Sequence, residues 1–296
     1  MGTPHYADTI LKRLIEADGM EVAALFTQPD RPVGRKRVLT PPPVKVTAQK
    51  EMIAIFQPDS LRDEEIVRQI EEIAPDFIVV AAYGQMLPKE ILQIAPCINL
   101  HASLLPMYRG ASPIQQSLLN GDSVTGVTAM LMEEGLDSGP ILSWSVTKLQ
   151  LSDRKESLFL KLADMAAELT VETLRNFSSV LPLPQCDAEA TYCKKIRKED
   201  GLISFELSAL QIYNRFRAFE GWPGIYLENG LKLIDLELYE ADGTPGHVVK
   251  ILDDGVVVAC KKGALKILRV QPPSKKSMDV LSYIRGKRIG VEDLFV

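Results

Sequence analysis

The sequence predicts an open α/β layer fold followed by a small antiparallel β domain, and three observations carry this. Residues 1–180 alternate short apolar runs with stretches of helical period, the pattern of strand–helix–strand units around a mostly parallel sheet. Residues 181–200 carry two prolines and end in a charged run, as an interdomain linker does. From Gly201 onward, short β-like runs are split by Glu-Asn-Gly, Ala-Asp-Gly and Asp-Asp-Gly, turns that favour hairpins and hence a meander or small barrel.

Taken in order, residues 7–17 place Ile10, Leu11, Leu14 and Ile15 on one helix face, and 63–73 repeat the spacing. Short apolar runs at 22–27, 77–81, 98–101 and 127–132 are expected as buried strands. A long amphipathic helix lies within 152–180, with Ser152 as its expected N-cap and Asp153 and Glu156 in a first turn that favours carboxylates. In the second part a helix is expected at 208–219 and strands at 224–227, 231–238, 246–252, 255–259 and 265–270. One feature departs from the pattern. The chain opens at Met1-Gly2-Thr3-Pro4, directly before the first helix, where a parallel sheet usually has a strand feeding such a glycine turn. The first strand is therefore expected to be missing, with the sequence starting late at an internal methionine, unless a different strand fills the slot.

Composition bounds the function. A chain of 296 residues with 46% hydrophobic and 25% charged residues is neither disordered nor collagenous, and it is long enough to bury a core without disulfides. Its four cysteines match no zinc or redox spacing. They are expected as reduced thiols of a cytoplasmic protein, although Cys186 and Cys193 are close enough for a loop disulfide. No apolar run approaches a membrane span and the N-terminus has no signal-peptide core. The net charge of -5 argues against polyanion binding overall, yet residues 31–50 hold six basic and no acidic side chains, a local patch on an acidic body.

The most informative segment is Ile98-Asn99-Leu100-His101-Ala102-Ser103-Leu104-Leu105-Pro106-Met107-Tyr108-Arg109-Gly110. Asn99 and His101 stand two residues apart on a strand and so share a face, at the strand end where open α/β sheets bind ligands. The loop Glu133-Glu134-Gly135-Leu136-Asp137-Ser138-Gly139-Pro140 follows another strand and brings a carboxylate and bare backbone near the same edge. A histidine beside an aspartate is tuned for proton transfer, and an asparagine can donate to a developing oxyanion. The same residues could instead cap backbone groups, with Asp137 closing an Asx-turn.

The stretch Asn99-x-His101-x-Ser103-Leu104-Leu105-Pro106 with Tyr108-Arg109-Gly110, followed by Gly135-x-Asp137-Ser138-Gly139, resembles the 10-formyltetrahydrofolate-dependent formyltransferases. Within them, the opening Gly2-Thr3-Pro4, the loop running from Thr27 to Arg35, the segment from Thr40 to Lys45 and Trp222-Pro223-Gly224 are similar to the branch that formylates methionyl-tRNA. The resemblance covers essentially the whole chain. It implies a Rossmann-like catalytic domain over 1–180, a linker over 181–200, and a C-terminal tRNA-binding barrel of the OB type over 201–296. It also implies that Asn99, His101 and Asp137 are catalytic and that Ser103, Leu104, Leu105 and Pro106, with Tyr83 and Gly135, bind the folate. No metal is implied. The expected partner is initiator methionyl-tRNA, held by charge at Arg31, Arg35, Lys36, Arg37 and Lys45 in a loop that orders on the acceptor stem, and at Lys275 and Lys276. A monomer is the default.

Rival readings share parts of this pattern. A formyltransferase acting on glycinamide ribonucleotide or an amino-sugar nucleotide would share the catalytic loops but not the basic loop and C-terminal domain together. A noncatalytic RNA-binding module has no use for the Asn99, His101 and Asp137 set. A dinucleotide oxidoreductase would need a G-x-G-x-x-G after a strand, and none is present.

Overall fold

A computed structural model describes every residue except Arg35, so the RNA contact expected there lies outside the described residues. The chain divides into two compact units: Met1–Ile114 with Ser123–Leu151 and Ser157–Lys194, and Gln115–Asp122 with Ser152–Glu156 and Lys195–Val296.

In chain order, the elements up to residue 194 are α1 (His5–Ile15), β1 (Ala24–Phe26), β2 (Arg31–Val33), β3 (Val38–Thr40), α2 (Pro43–Lys50), β4 (Ala54–Phe56), α3 (Glu64–Ile73), β5 (Ile78–Val80), α4 (Lys89–Leu92), β6 (Cys97–His101), β7 (Arg109–Gly110), α5 (Pro113–Asn120), β8 (Val124–Leu131), β9 (Ile141–Lys148), α6 (Lys155–Asn176) and β10 (Tyr192–Cys193). Strands β1 and β4 pair in parallel, and Phe26 stacks on Phe56 across the pair with ring centroids 4.7 Å apart. A four-stranded sheet has the order β5-β6-β8-β9. The expected mostly parallel arrangement holds for the β1–β4 pair, the Gly2–Ala81 bridge and the β5–β6 pair, and β8 departs from it, running antiparallel to both β6 and β9, so the four-stranded sheet is mixed. A continuous apolar run such as 127–132 is compatible with either direction. The telling feature is β9, whose outer half alternates between partly buried and exposed positions, the signature of an antiparallel strand with one wet face.

Met1 and Gly2 form the N-terminal side of this sheet. Gly2 donates to Phe26 O at 3.0 Å on β1, while Ala81 donates to Met1 O at 2.9 Å and the Met1 amine donates to Val79 O at 2.6 Å beside β5. Gly2 thus makes a parallel bridge to Ala81, and a Cβ there would lie 2.3 Å from the Ala7 Cβ, which is why glycine is needed. Below this two-residue bridge, β1 and β5 share no ladder among the described residues. The space between them is a cavity of about 580 Å³, lined among others by Ile10, Leu11, Leu25, Phe26, Ile70 and Ile78.

Helix α6 starts at Lys155, past the position that Ser152 would cap. Its first turn is tied instead by Glu220, whose carboxylate accepts from the Glu156 amide at 3.1 Å and so takes the capping role expected of the serine. The segment 181–194 is packed chain rather than a free tether: Leu183 exchanges two 2.8 Å hydrogen bonds with Ile141, and β10 pairs in parallel with β7.

The later unit adds α7 (Ala209–Ala218), β11 (Ile225–Tyr226), β12 (Lys232–Tyr239), β13 (Val248–Ile251), β14 (Val256–Ala259), β15 (Ala264–Gln271), β16 (Met278–Asp279) and α8 (Val280–Lys287). Ser208 caps α7 with a reciprocal Gln211 capping box, and Asp279 caps α8 by accepting from the Ser282 amide at 2.8 Å. The strands form a six-stranded antiparallel sheet in the order β11-β12-β15-β14-β13, with β16 added to β15. Strand β14 is buried at every position, as the centre of a core requires.

Candidate active site

Strand β6 is buried at every residue but Asn99, which is half-exposed. Neighbours on both sides fix its register: Asn99 lies opposite Val80 on β5 and Met130 on β8, and His101 opposite Thr128. Strand alternation therefore sends Asn99 and His101 to one face, while Ile98 and Leu100 enter the other.

The structure brings the three expected catalytic residues into contact. One Asp137 oxygen accepts from Asn99 Nδ2 at 3.3 Å, and the other accepts from the Gly110 amide at 2.8 Å and lies 3.6 Å from His101 Nδ1. Two-sided holding matters because Asp137 has φ +49, a left-handed conformation that aspartate tolerates at a cost of order 1 kcal/mol. Tyr108, with φ +62, lies on the facing loop, so strain is concentrated where the two loops meet. Gly110 has φ +122, and a Cβ on it would sit 2.3 Å from Cys193 O.

The two ring nitrogens of His101 face different partners. Its Nε2 lies 2.9 Å from Tyr108 O, and a carbonyl only accepts, so this nitrogen donates and is committed. Only the Nδ1 edge faces Asp137. The histidine is thus placed for proton handling with Asp137, and Asn99 is left as the side-chain donor for an oxyanion.

The residues expected to bind folate fall into two groups. Ser103 is fully buried and its hydroxyl donates to Met107 O at 2.6 Å, while Thr128 Oγ1 donates to Ser103 O and accepts from the Leu105 amide. Leu105 packs with Met130 and Ile141. These two side chains shape the 103–107 turn from within, and Leu104 and Pro106 remain partly open to a ligand. Gly135 is exposed at the tip of the other loop. Tyr83 is only 2% exposed, and its hydroxyl is buried without a hydrogen-bond partner; burial pushes its pKa up to about 12.

Gln185 was not legible in the sequence. Its amide donates to Asp137 O at 2.9 Å and Gly139 O at 2.7 Å, and its oxygen accepts from Arg109 Nε at 3.0 Å and Nη2 at 2.9 Å. Arg109 is buried and also pairs with the exposed Asp187 at 2.9 Å. Cys193 lies close by, its thiol donating to Tyr108 O at 3.3 Å, and burial raises its pKa. All four cysteines are free thiols, with Cys186 exposed and the others buried.

The basic residues are not equivalent. Arg31, Lys36 and Arg37 are exposed on the β2–β3 hairpin, and Lys275 and Lys276 are exposed in the turn before β16. Lys45 is different: it is mostly buried and bonds both oxygens of Asp30 at 2.8 and 2.9 Å, with Gln57 bonding the same carboxylate, so it braces the hairpin base. His5 is exposed at the start of α1, and His247 Nδ1 lies 3.3 Å from Pro245 O. No helix is long and apolar enough to cross a membrane among the described residues.

Comparison with known proteins bears on the family and the fold. Residues 1–174 match the formyl transferase family, and residues 195–288 match the formyl transferase C-terminal domain. Methionyl-tRNA formyltransferase of a Nitratiruptor species is 58% identical over 299 residues, covering 100% of this chain and 98% of that protein. The protein of the same name from Sulfurimonas denitrificans is 53% identical, covering 99% and 97%. Among solved structures, the sugar 3N-formyl transferase WlaRD has a TM-score of 0.69 at 17% identity, covering 93% of this chain and 97% of its own. HypX from Aquifex aeolicus in complex with tetrahydrofolic acid has a TM-score of 0.59 at 19% identity, covering 83% and 45%. At these identities the solved structures speak for the fold, whereas the relatives above 50% and the two matched domains decide the family: the chain belongs to the formyl transferases, within the branch of the methionyl-tRNA formyltransferases.

Proposed function

We propose that the chain moves a formyl group from 10-formyltetrahydrofolate to the α-amino group of methionyl-initiator tRNA, with Asn99, His101 and Asp137 performing the chemistry. The observation that carries this reading is the single carboxylate of Asp137, contacted at once by Asn99, Gly110 and the His101 edge. Relatives at 53–58% identity over the whole chain bear that activity in their names, which supports the acceptor.

The donor set fits a folate. An acyl donor needs neutral N–H groups aimed at a carbonyl oxygen, a carboxylate nearby for the amine proton, and apolar walls; Asn99, Asp137 and the Leu104–Pro106 turn provide these. The buried hydroxyl of Tyr83 is a polar atom in want of a partner, as a wall of a polar ligand site would be. The folate supplies an activated formyl carbonyl whose oxygen gains negative charge as the amine attacks. Asn99, tied to Asp137 through one amide hydrogen, offers the other to that oxygen. Asp137 takes the proton that the attacking nitrogen must lose, and His101, held by Nε2 donating to Tyr108 O, turns its Nδ1 acceptor toward the carboxyl that then carries it; the bond from the formyl carbon to N10 would break as that proton passes to N10, which releases tetrahydrofolate. Free α-amino groups titrate near pH ~8, so a modest base suffices at neutral pH.

For the acceptor, the exposed Arg31, Lys36 and Arg37 of the hairpin and Lys275 and Lys276 of the second unit form the basic contacts for the acceptor stem. We read the six-stranded antiparallel sheet as a barrel of the OB type and the chain as acting as a cytoplasmic monomer. The test is transfer of labelled formyl from 10-formyltetrahydrofolate to initiator and elongator methionyl-tRNA, with glycinamide ribonucleotide and an amino-sugar nucleotide as controls. Transfer confined to the initiator is the expected result; transfer to either control instead would refute the acceptor assignment.

A further inference from the structure

Asp137 is held by more than its carboxylate contacts. Its backbone carbonyl and that of Gly139 are both gripped by the Gln185 amide, at 2.9 and 2.7 Å. On its other side the Gln185 oxygen receives two N–H groups of Arg109, the residue directly before the Gly110 amide that bonds the Asp137 carboxylate. All four hydrogen-bonding positions of the Gln185 side chain are therefore used, two on each of the loops that meet at the site. The surrounding chain works in the same sense. Leu183 is bridged to Ile141 after the Asp137 loop, and Thr191 accepts from the Tyr108 amide with its hydroxyl and from the Arg109 amide with its carbonyl. Residues 183–193 run across both loops as a strap.

We infer that Gln185 is a positioning residue of the formyl-transfer site, which holds Asp137 in its left-handed conformation by clasping its carbonyl to the Arg109 side chain. The physical reason is that an aspartate with φ +49 has a competing relaxed conformation close in energy, and rotating its peptide would swing the carboxylate away from Asn99 and His101. Only a side chain that both donates and accepts can join a pair of carbonyls to a guanidinium. Glutamate retains the acceptor half and the pairing with buried Arg109 but cannot donate to the two carbonyls; methionine retains neither. This inference rests on the catalytic reading of Asp137.

Four variants of the chain, Gln185→Glu, Gln185→Met, Asp137→Asn and the double variant Asp137→Asn with Gln185→Glu, separate the possibilities when assayed for single-turnover formyl transfer, KM and Tm. For Gln185→Glu, kcat is expected to fall roughly 10- to 100-fold, the effect of misplacing a reacting group by about an ångström, with KM for both substrates and Tm close to those of the parent. Gln185→Met is expected to lose the same factor in rate and to lower Tm as well, because the buried Arg109 loses the acceptor for its Nε and Nη2 and keeps only Asp187 at Nη1. In an Asp137→Asn background, Gln185→Glu should cost no further rate, since it acts through a group already removed. A parental kcat in Gln185→Glu, or losses that multiply in the double variant, would overturn the inference while leaving the site assignment intact. If Asp137→Asn itself transfers formyl at the parental rate, the site assignment fails and the inference with it.

Discussion

Asn99 is half-exposed on a strand whose other side chains are buried, and that contrast is the residue-scale argument for its role. An asparagine in the middle of a buried strand costs packing, and here it recovers one hydrogen bond from Asp137 and keeps a second donor for a ligand. Asn99→Ala is therefore expected to lower single-turnover formyl transfer by about 10²- to 10³-fold, as loss of one oxyanion donor does, with little change in Tm. A fall below tenfold in a rapid-quench assay would remove Asn99 from that role. Tyr83 makes the complementary case. Its buried hydroxyl has no protein partner, so Tyr83→Phe should leave Tm unchanged or raise it, while KM for the folate rises severalfold if the hydroxyl meets that ligand. Equilibrium unfolding and folate titration read the two effects separately. The proposed trio of Asn99, His101 and Asp137 was legible in the sequence because strand alternation and a short glycine-rich loop place it locally. Gln185 was not, because it lies in a proline-containing polar stretch with no periodicity, and its partners lie 46 to 76 residues away along the chain.

At the scale of elements, the β2–β3 hairpin shows where sequence reading gained and lost. Its basic character was evident, but the three prolines Pro41–Pro43 read as loop, whereas Pro43 opens α2 at a position where a missing N–H costs nothing. Nor did charge alone distinguish Lys45, folded back onto Asp30, from the exposed Lys36 and Arg37. Reversing the charge of Lys36 and Arg37 together should raise KM for methionyl-tRNA by roughly tenfold or more and flatten the salt dependence of binding by one to two units of log–log slope, about 0.7–0.9 for each phosphate no longer neutralised. Filter binding between low and moderate salt measures the slope, and an unchanged slope would detach this hairpin from the RNA. Strand β9 and helix α8 were missed for another reason. The first was hidden by a tryptophan and a valine exposed on its outer half, the second by a short element whose only signal is the Asp279 cap.

For the molecule as a whole, the parallel bridge of Gly2 to Ala81 ties the first residues to the sheet. A Cβ on Gly2 would stand 2.3 Å from the Ala7 Cβ and 2.9 Å from Ala81 O, so Gly2→Ala must push α1 or the bridge aside and is expected to lower Tm by several degrees. Thermal unfolding measures the effect, and an unchanged Tm would show that the bridge adjusts freely.

The strap of residues 183–193 also has a consequence in time. The Tyr108 and Arg109 amides donate to Thr191, and the Ile141 amide donates to Leu183, so these N–H groups meet water only when the strap lifts. Their hydrogen-exchange rates should therefore move together, and a variant that loosens the strap should speed all three at once.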